Sequence, residues 1–349
     1  MAYGTPNSLD EIEPYYTDIR GGRKPSPENL RELIARYEKI GGSAVSPTQK
    51  DTSEPKTTKG ENALRTPLLD ITREQARALQ AQLGDDFRVY VGMKHWQPYI
   101  AQAVDEIARD GLRRVIALAL APHYSRFSID GYIQRVRDAI AKSNAPLDVT
   151  YIESWNDHPL FLKSVAERME AARSKFGAAW DEIEVIFSAH SLPERILQSN
   201  DPYPQELRET CEGVAALLGL PRWRFAYQSA GRTGEKWLGP DILDTLAVIA
   251  SREAAKQSPS RDAEIASPQS ALLATLAPHA SAGVTHRGAR RVMIAPIGFV
   301  ADHLEVLYDI DVECAARAQS LGLEMCRIES PNASPPFIAA LAAIVRERC

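Results

Sequence analysis

Short apolar runs alternate with segments of helical periodicity along most of this chain. In the first half, residues 87–92, 115–120 and 149–153 predict buried strands, and residues 100–109 and 131–142 predict amphipathic helices between them. Strands that alternate with helices in this way form parallel sheets with right-handed crossovers. The pattern therefore predicts an α/β fold.

The same alternation begins again after residue 154. Helices are predicted at 160–175 and 204–218, and strands at 183–189 and 223–228. The chain closes with a predicted helix over 335–348. A second α/β unit is therefore expected in the second half.

Two stretches interrupt these patterns. Residues 43–65 are polar and lack periodicity, which predicts a mobile loop, and residues 251–287 are rich in Ala, Ser and Pro, with one short predicted helix at 270–276. A chain of 349 residues is long enough for two domains of ordinary size. We therefore predict domains of residues 1–154 and 155–349, each carrying one insert.

A row of carboxylates follows the last apolar run. Residues 292–295 predict a short buried strand, and a helix is predicted from about residue 301. On that helix Glu305, Asp309 and Glu313 are four residues apart and share one face. They indicate either a site for a divalent metal or the solvent-facing side of an amphipathic helix. The spacing alone does not decide between the two.

A histidine stands at the end of another predicted strand. His190 follows the apolar run 185–187, and ligands of parallel sheets bind beyond the carboxyl ends of strands. A single histidine is more often structural than catalytic, but an imidazole and a row of carboxylates at two strand ends together favour a functional site. Lys94, His95 and His123 also follow predicted strands, and each is interpreted as a functional or a capping group.

Composition and charge narrow the possible partners. The net charge of −5 gives no general reason to expect nucleic acid, and no apolar stretch approaches the roughly 18 residues that span a bilayer. We therefore expect a soluble, cytoplasmic protein. The four cysteines form no C-x-x-C pair, so neither a zinc site nor a disulfide framework is predicted.

Several motifs in collinear order resemble the ferrochelatase family, which inserts ferrous iron into porphyrins. They are AYGTP (2–6), YYTDIRGGRKP (15–25), RYEKIGG (36–42), GMKHWQPYI (92–100), LAPHYSRFS (120–128), FSAHSLPERI (187–196), QSAGRTGEKWLGPDI (228–242) and APIGFVADHLEVLYDID (295–311). The resemblance implies two Rossmann-like chelatase domains with a porphyrin cleft between them, and a final helix that packs back across the domains. It also implies that His190 and Glu305 meet iron and accept protons, with Asp309 and Glu313 extending the carboxylate path.

The resemblance further implies residues that contact the porphyrin. Tyr3 matches an axial ligand of the porphyrin metal in the coproporphyrin type, Arg20 matches a residue that meets propionates, and Tyr132 matches a residue of the cleft wall. Arg36 and Tyr37 match a porphyrin-contacting pair, although sequence alone places these two and Arg20 among exposed residues. A further hydroxyl aligns either at 46–47 or at 66–68. The second alignment, which keeps the next helix in register, selects Thr66.

The start of the chain departs from the family pattern. In the family a hydrophobic strand runs into the AYGTP motif, and here only Met1 precedes it. The first strand is therefore expected to be truncated, with a misassigned start codon as the alternative. Either reading leaves the position of Tyr3 to be settled by the structure.

The resemblance favours coproporphyrin III as the substrate, with protoporphyrin IX as the other possibility. Fe²⁺ is expected as a substrate, without a permanently bound cofactor, and the widely spaced Cys326 and Cys349 argue against an iron–sulfur cluster. A monomer is expected. The alternatives left open are a chelatase for another metal, such as cobalt, and a haem or iron carrier without turnover.

Overall fold

The structure is a computed structural model that describes residues 1–42, 64, 66–143, 146–231, 233–257 and 291–349. The expectations for a mobile loop at 43–65 and a helix at 270–276 fall almost wholly outside these residues.

Helices and two strands form the first half of the chain. In order they are α1 Ile12–Ile19, α2 Pro27–Gly42, α3 Leu68–Leu83, α4 Ile100–Arg109, β1 Arg114–Leu118, α5 Ile129–Ser143 and β2 Asp148–Ile152. Strands β1 and β2 pair in parallel, with Val115 opposite Val149. The predicted helices at 100–109 and 131–142 and the strands at 115–120 and 149–153 are confirmed.

The second half continues the alternation around a larger sheet. Its elements are α6 Pro159–Phe176, β3 Ile183–His190, α7 Tyr203–Leu218, β4 Trp223–Gln228, α8 Ile242–Gln257, β5 Arg291–Pro296, a π-helical segment Glu305–Cys314, α9 Ala315–Ser320, β6 Glu324–Arg327 and α10 Pro335–Arg346. The strand order is β4-β3-β5-β6, and every pair is parallel. The predicted α/β fold with parallel sheets is confirmed.

Helix α6 shows how the sequence produces these elements. Pro159 lies in its first turn, where a missing N–H costs nothing, and Gly177 ends it with a φ of 64°. Phe161, Val165 and Met169, four residues apart, are at most 2% exposed. This face packs in the largest core cluster together with β3, α7 and α10. Helix α10 also contacts α3, so the C-terminal helix touches both halves of the chain.

The predicted strand at 87–92 is wrong. Residues 87–92 form no continuous ladder with any described strand, and the backbone of Met1 and Ala2 lies between Gly92 and the end of β1. The amine of Met1 donates to Leu118 O at 2.6 Å, and Ala2 N donates to Gly92 O at 3.1 Å. A cavity of about 880 Å³, lined by Met1, lies between residues 87–91 and β1. A strand needs a neighbour to pair with, and most of this segment has none among the residues that the structure describes.

Candidate active site

His190 is the last residue of β3, at the carboxyl edge of the four-stranded sheet. The seven strand residues before it are buried. Gly298, in the turn after β5, lies against this strand end, since a Cβ at residue 298 would come within 2.8 Å of the Cβ of Ala189. The missing side chain lets the turn approach β3 and brings the π-helical segment beside His190.

Glu305 is the first residue of the π-helical segment and faces His190. Its Oε2 lies 3.1 Å from Nδ1 of His190, and each side chain is 34% exposed. Nδ1 has no well-aligned hydrogen bond within the described residues, so charge is the main attraction between the two groups and any hydrogen bond is secondary. An imidazole nitrogen and a carboxylate oxygen at this separation can share a metal ion at bond lengths of about 2.0–2.2 Å, and the ring can also accept a proton.

The two groups shift each other's pKa. Burial favours the neutral imidazole, but the carboxylates of Glu305 and Asp309 outweigh it, so the pKa of His190 lies above its usual value. Burial also disfavours the Glu305 carboxylate, yet His190 and His303 hold the pKa of Glu305 well below its usual value. Glu305 is therefore negatively charged at neutral pH, and His190 is a stronger base than a free imidazole.

A second histidine, His303, reaches Glu305 from the turn before the π-helical segment. Its Nδ1 donates to Ala301 O at 3.0 Å, and its Nε2 lies 3.9 Å from Oε2 of Glu305. Sequence spacing misses His303 because residues two apart on a helix point to different faces. The sequence signal that could have identified His303 is its place in the same motif as the carboxylates.

Asp309 lies one turn farther along and is buried. Burial and the charge of Glu305 raise the pKa of Asp309 to about 6, although a hydrogen bond from Ser229 and the charge of Arg36 oppose this rise. The Ser229 hydroxyl donates to Oδ2 of Asp309, and Nη1 of Arg36 lies 3.6 Å from Oδ1. Asp309 can therefore exchange a proton close to neutral pH.

The end of β4 supports the same segment. Gln228 accepts a hydrogen bond from Ser188 at 2.9 Å and donates to the backbone oxygen of Glu305 at 3.1 Å. Ser229, the next residue, has a φ of 60°, a region that non-glycine residues rarely adopt. Sequence reasoning selected neither residue, although both open the motif QSAGRTGEKWLGPDI.

The helix that carries the carboxylates is not the α-helix that its periodicity predicts. Glu305–Cys314 is π-helical, with the wider i→i+5 turn that is frequent at functional sites. It brings Glu305 to His190, whereas Glu313 acts on Asp309 and Arg36 only as a nearby charge. Within the described ranges, no three His, Cys, Asp or Glu side chains come together to hold a metal ion. The predicted four-residue metal set is thus not assembled in one cluster.

Tyr3, near the start of the chain, lies beside His95 and Lys94. The residue as a whole is 40% exposed, and the centre of its ring lies 4.6 Å from that of the His95 ring. Surrounding protein raises the pKa of the Tyr3 phenol, and the charge of Glu305 adds to the rise. Burial lowers the pKa of His95 to about 4, despite its 2.8 Å contact with Asp18. His95 is therefore a neutral donor to Asp18 that positions the Tyr3 ring.

Lys94 and Tyr132 lie next to Tyr3. The ammonium of Lys94 donates to Ser128 O at 3.1 Å and lies 4.9 Å from the centre of the Tyr132 ring. Burial, assisted by Arg135, lowers the pKa of Lys94 to about 8, so the group is still charged at neutral pH. Tyr132 is only 5% exposed. Its ring therefore supports Lys94 more than it presents a surface to a ligand.

The remaining predicted substrate contacts differ in their accessibility. Arg20 is exposed at the end of α1 and forms no ion pair with any described residue. The Thr66 hydroxyl donates to Pro6 O at 2.9 Å. Tyr37 is 2% exposed and bonds to Tyr16, so its expected exposure is wrong: the apolar faces of α1, α2 and the π-helical segment close over it.

His123 contacts none of these site residues. It is 3% exposed, and its Nε2 donates at 2.9 Å to the hydroxyl of Thr210, which in turn donates to Asn156 O. Burial lowers the pKa of His123 to about 3. Of the two interpretations that the sequence left open, the structure supports the structural one, because the ring ties the loop after β1 to α7.

Comparisons with known proteins agree with this geometry. The ferrochelatase family model matches residues 1–257 and 277–349, so its only gap lies inside the predicted second insert. A ferrochelatase of Herpetosiphon aurantiacus is 41% identical over 99% of this chain and 96% of its own length. A coproporphyrin III ferrochelatase of Halalkalibacterium halodurans is 38% identical over 100% of this chain and 95% of its own.

Among solved structures, SirB from Bacillus subtilis with Fe³⁺ is similar in fold, with a TM-score of 0.53 at 9% sequence identity. The match covers 80% of this chain and 88% of the SirB chain. No helix in the described part of the chain is long and apolar enough to cross a membrane. The match of the family model to nearly the whole chain, together with these full-length relatives, shows that the chain belongs to the ferrochelatase family.

Proposed function

We propose that this protein inserts Fe²⁺ into coproporphyrin III, and that His190 and Glu305 perform the insertion. The observation that carries the proposal is the 3.1 Å pair of an imidazole and a carboxylate at the carboxyl end of β3, in a chain of the ferrochelatase family. Ferrous iron is a substrate of this reaction and leaves within the product. Membership of this family does not favour a cobalt chelatase or a carrier.

The pair divides the work of the reaction. Metal insertion releases two protons from the pyrrole nitrogens, and a base at the ring face is needed to take them. His190 accepts the two protons one after the other and releases the first before it takes the second, and the neighbouring charge of Glu305 stabilises the imidazolium that forms each time. Glu305 keeps its charge at neutral pH and provides an oxygen ligand for the incoming iron.

Asp309 and Glu313 extend this path along the π-helical segment. The pKa of about 6 lets Asp309 pass protons onward near neutral pH. Arg36 and Ser229 hold its two oxygens, so the group stays oriented during the transfer. Glu313 continues the path toward the solvent or attracts the metal from it.

The cleft walls suit a porphyrin with several carboxylates. Arg20 offers an exposed guanidinium, which binds carboxylates bidentately. Tyr3 lies near enough to Glu305 for that carboxylate to raise the pKa of the phenol, and we propose by resemblance that its oxygen is an axial ligand of the porphyrin metal. Arg36, Tyr37, Thr66 and Tyr132 remain proposed contacts by resemblance, although the burial of Tyr37 and Tyr132 leaves little of either ring to touch a ligand. Relatives at 38% identity are named coproporphyrin III ferrochelatases, which favours this substrate over protoporphyrin IX.

The proposal includes the state in which the protein works. We propose a cytoplasmic monomer that binds no nucleic acid and holds no permanent cofactor or iron–sulfur cluster. The net charge of −5 and the wide spacing of the cysteines support these points.

Anaerobic turnover with Fe²⁺ tests the proposal directly. Loss of the free-base spectrum is followed for coproporphyrin III and protoporphyrin IX side by side, and coproporphyrin III is expected to turn over faster. Co²⁺ in place of Fe²⁺ tests the metal, and multiple turnovers distinguish an enzyme from a carrier. Faster turnover of protoporphyrin IX would contradict the assignment of coproporphyrin III as the substrate. The absence of turnover by the folded protein would contradict the proposed iron insertion.

One substitution tests the assigned residues. His190→Ala should abolish insertion while porphyrin binding stays intact, because the ring takes the proton and does not hold the porphyrin. His158→Ala is the matched control, since His158 caps α6 and contacts Glu347 away from the cleft. An active His190→Ala variant would contradict the assignment.

A further inference from the structure

The π-helical segment is anchored by an arginine on β6. Arg327, the last residue of that strand, is 10% exposed and donates to both oxygens of Asp311, from Nε at 2.7 Å and from Nη2 at 2.9 Å. Its Nη1 donates to Asp302 at 3.2 Å and to Ile328 O at 2.8 Å. One guanidinium thus joins two carboxylates that are nine residues apart in sequence.

Asp302 is held by the same part of the chain. The Ser330 hydroxyl donates to it at 2.7 Å, and the Asn332 side-chain amide donates at 3.0 Å. In return, the backbone N–H of Asp302 donates to the side-chain oxygen of Asn332 at 2.9 Å. The chain from Arg327 to Asn332 therefore forms a fixed support beneath the start of the segment.

The two anchored carboxylates bracket the proposed reactive ones. Asp302 lies three residues before Glu305, and Asp311 lies two residues after Asp309. A π-helix is a rare conformation that needs support from its surroundings. Arg327 supplies that support on one side, and Gln228 holds the Glu305 carbonyl on another.

We propose that Arg327 is a positioning residue for metal insertion: it fixes the π-helical segment so that Glu305 stays 3.1 Å from His190. This inference rests on the proposed role of that pair. The geometry requires arginine, because a planar guanidinium can bind one carboxylate bidentately and a second one at the same time. Lysine keeps the charge but provides a single point contact.

Arg327→Lys is therefore the decisive variant. Misplacement of a reactive group by about 1 Å costs up to about a hundredfold in rate, so we expect kcat to fall and the KM for Fe²⁺ to rise, each on the order of tenfold. The affinity for coproporphyrin III, measured by fluorescence quenching without metal, should change less than about threefold, because the bonding partners of Arg327 are not proposed porphyrin contacts.

Arg168→Lys is the matched control. Arg168, on α6, pairs with Glu329 at 3.0 Å and donates to Pro331 O at 3.3 Å, so it holds the same stretch of chain without touching the π-helical segment. Its kinetic constants should stay within about twofold of the unmodified protein. An equal fall in kcat for Arg168→Lys and Arg327→Lys would overturn the inference. Unchanged kinetic constants in a folded Arg327→Lys variant would also overturn it.

Hydrogen exchange separates this inference from the proposed function. In the metal-free protein, Arg327→Lys should speed amide exchange in peptides covering Glu305–Cys314 by at least about tenfold and leave β3 unchanged. Unchanged exchange in the segment, or equal acceleration in β3, would overturn the positioning role. If the unmodified protein shows no iron insertion, the proposed function fails, and the exchange result still decides whether Arg327 fixes the segment.

Discussion

Replacing Glu305 with glutamine should lower the pKa of His190 by about one unit, because glutamine keeps the shape of the side chain and removes its charge. At the 3.1 Å separation, Coulomb's law gives about 1.3 kcal/mol in water and roughly 5 kcal/mol at an effective dielectric constant of about 20. Each side chain is 34% exposed, so solvent screening favours the lower figure. Since about 1.4 kcal/mol corresponds to one pKa unit, the expected fall is about one unit.

The groups around the His190 ring determine the direction in which its pKa changes. Burial alone favours the neutral ring, and the carboxylates reverse that preference. Removing the nearer carboxylate therefore moves the pKa of His190 down and cannot move it up. Asp309 remains in the variant and limits the fall.

NMR titration of the imidazole signals in the metal-free protein measures this pKa. The chain contains seven histidines, so the His190 signal is assigned by its loss in a His190→Gln variant. Glu347→Gln is the control, because Glu347 contacts His158 at 3.3 Å and should leave the pKa of His190 unchanged. A pKa of His190 that rises, or that stays within about 0.3 unit in a folded Glu305→Gln variant, would refute the reasoning.

Three further predictions concern stability and ligation. The pKa of His123 is about 3 in the folded protein and about 6.5 in the unfolded chain. The unfolded chain therefore takes up a proton first as the pH falls, and the free energy of unfolding should decrease by about 2 kcal/mol between pH 7.5 and 5. Urea titrations of His123→Gln should show a pH dependence smaller by that amount, and an equal dependence would contradict the structural role. Gly298→Ala should cost about 1–3 kcal/mol in a thermal shift assay, because its Cβ would lie 2.8 Å from that of Ala189. Gly234→Ala, which meets no atom within 4 Å, should be nearly neutral, and equal losses in both would refute the packing argument. Tyr3→Phe should change the visible spectrum of the bound iron porphyrin if the phenol is an axial ligand, and an unchanged spectrum would exclude it.

The contact between His190 and Glu305 shows how far sequence reasoning reaches into the site. Each residue is recognisable alone, His190 as the end of a buried strand and Glu305 as the start of a carboxylate row. Their distance depends on Gly298, on the turn after β5 and on the parallel register of β3 with β5, which are long-range features. Ser229 and His303 were missed for the same reason, since their partners come from other elements or from an unexpected turn.

Local periodicity determined the order of helices and strands, because apolar spacing reports which face of an element is buried. The motifs determined the family for the same chain. Tertiary structure decided the rest. Residues 87–92 have strand-like spacing, yet a strand exists only when a neighbour supplies hydrogen bonds, and no described strand pairs with most of this segment. Carboxylates four residues apart fit an α-helix as well as a π-helix, so their spacing does not predict the π-helical turn of Glu305–Cys314. Arg327 and Gln228, which lie on other strands, bind this segment and stabilise that turn.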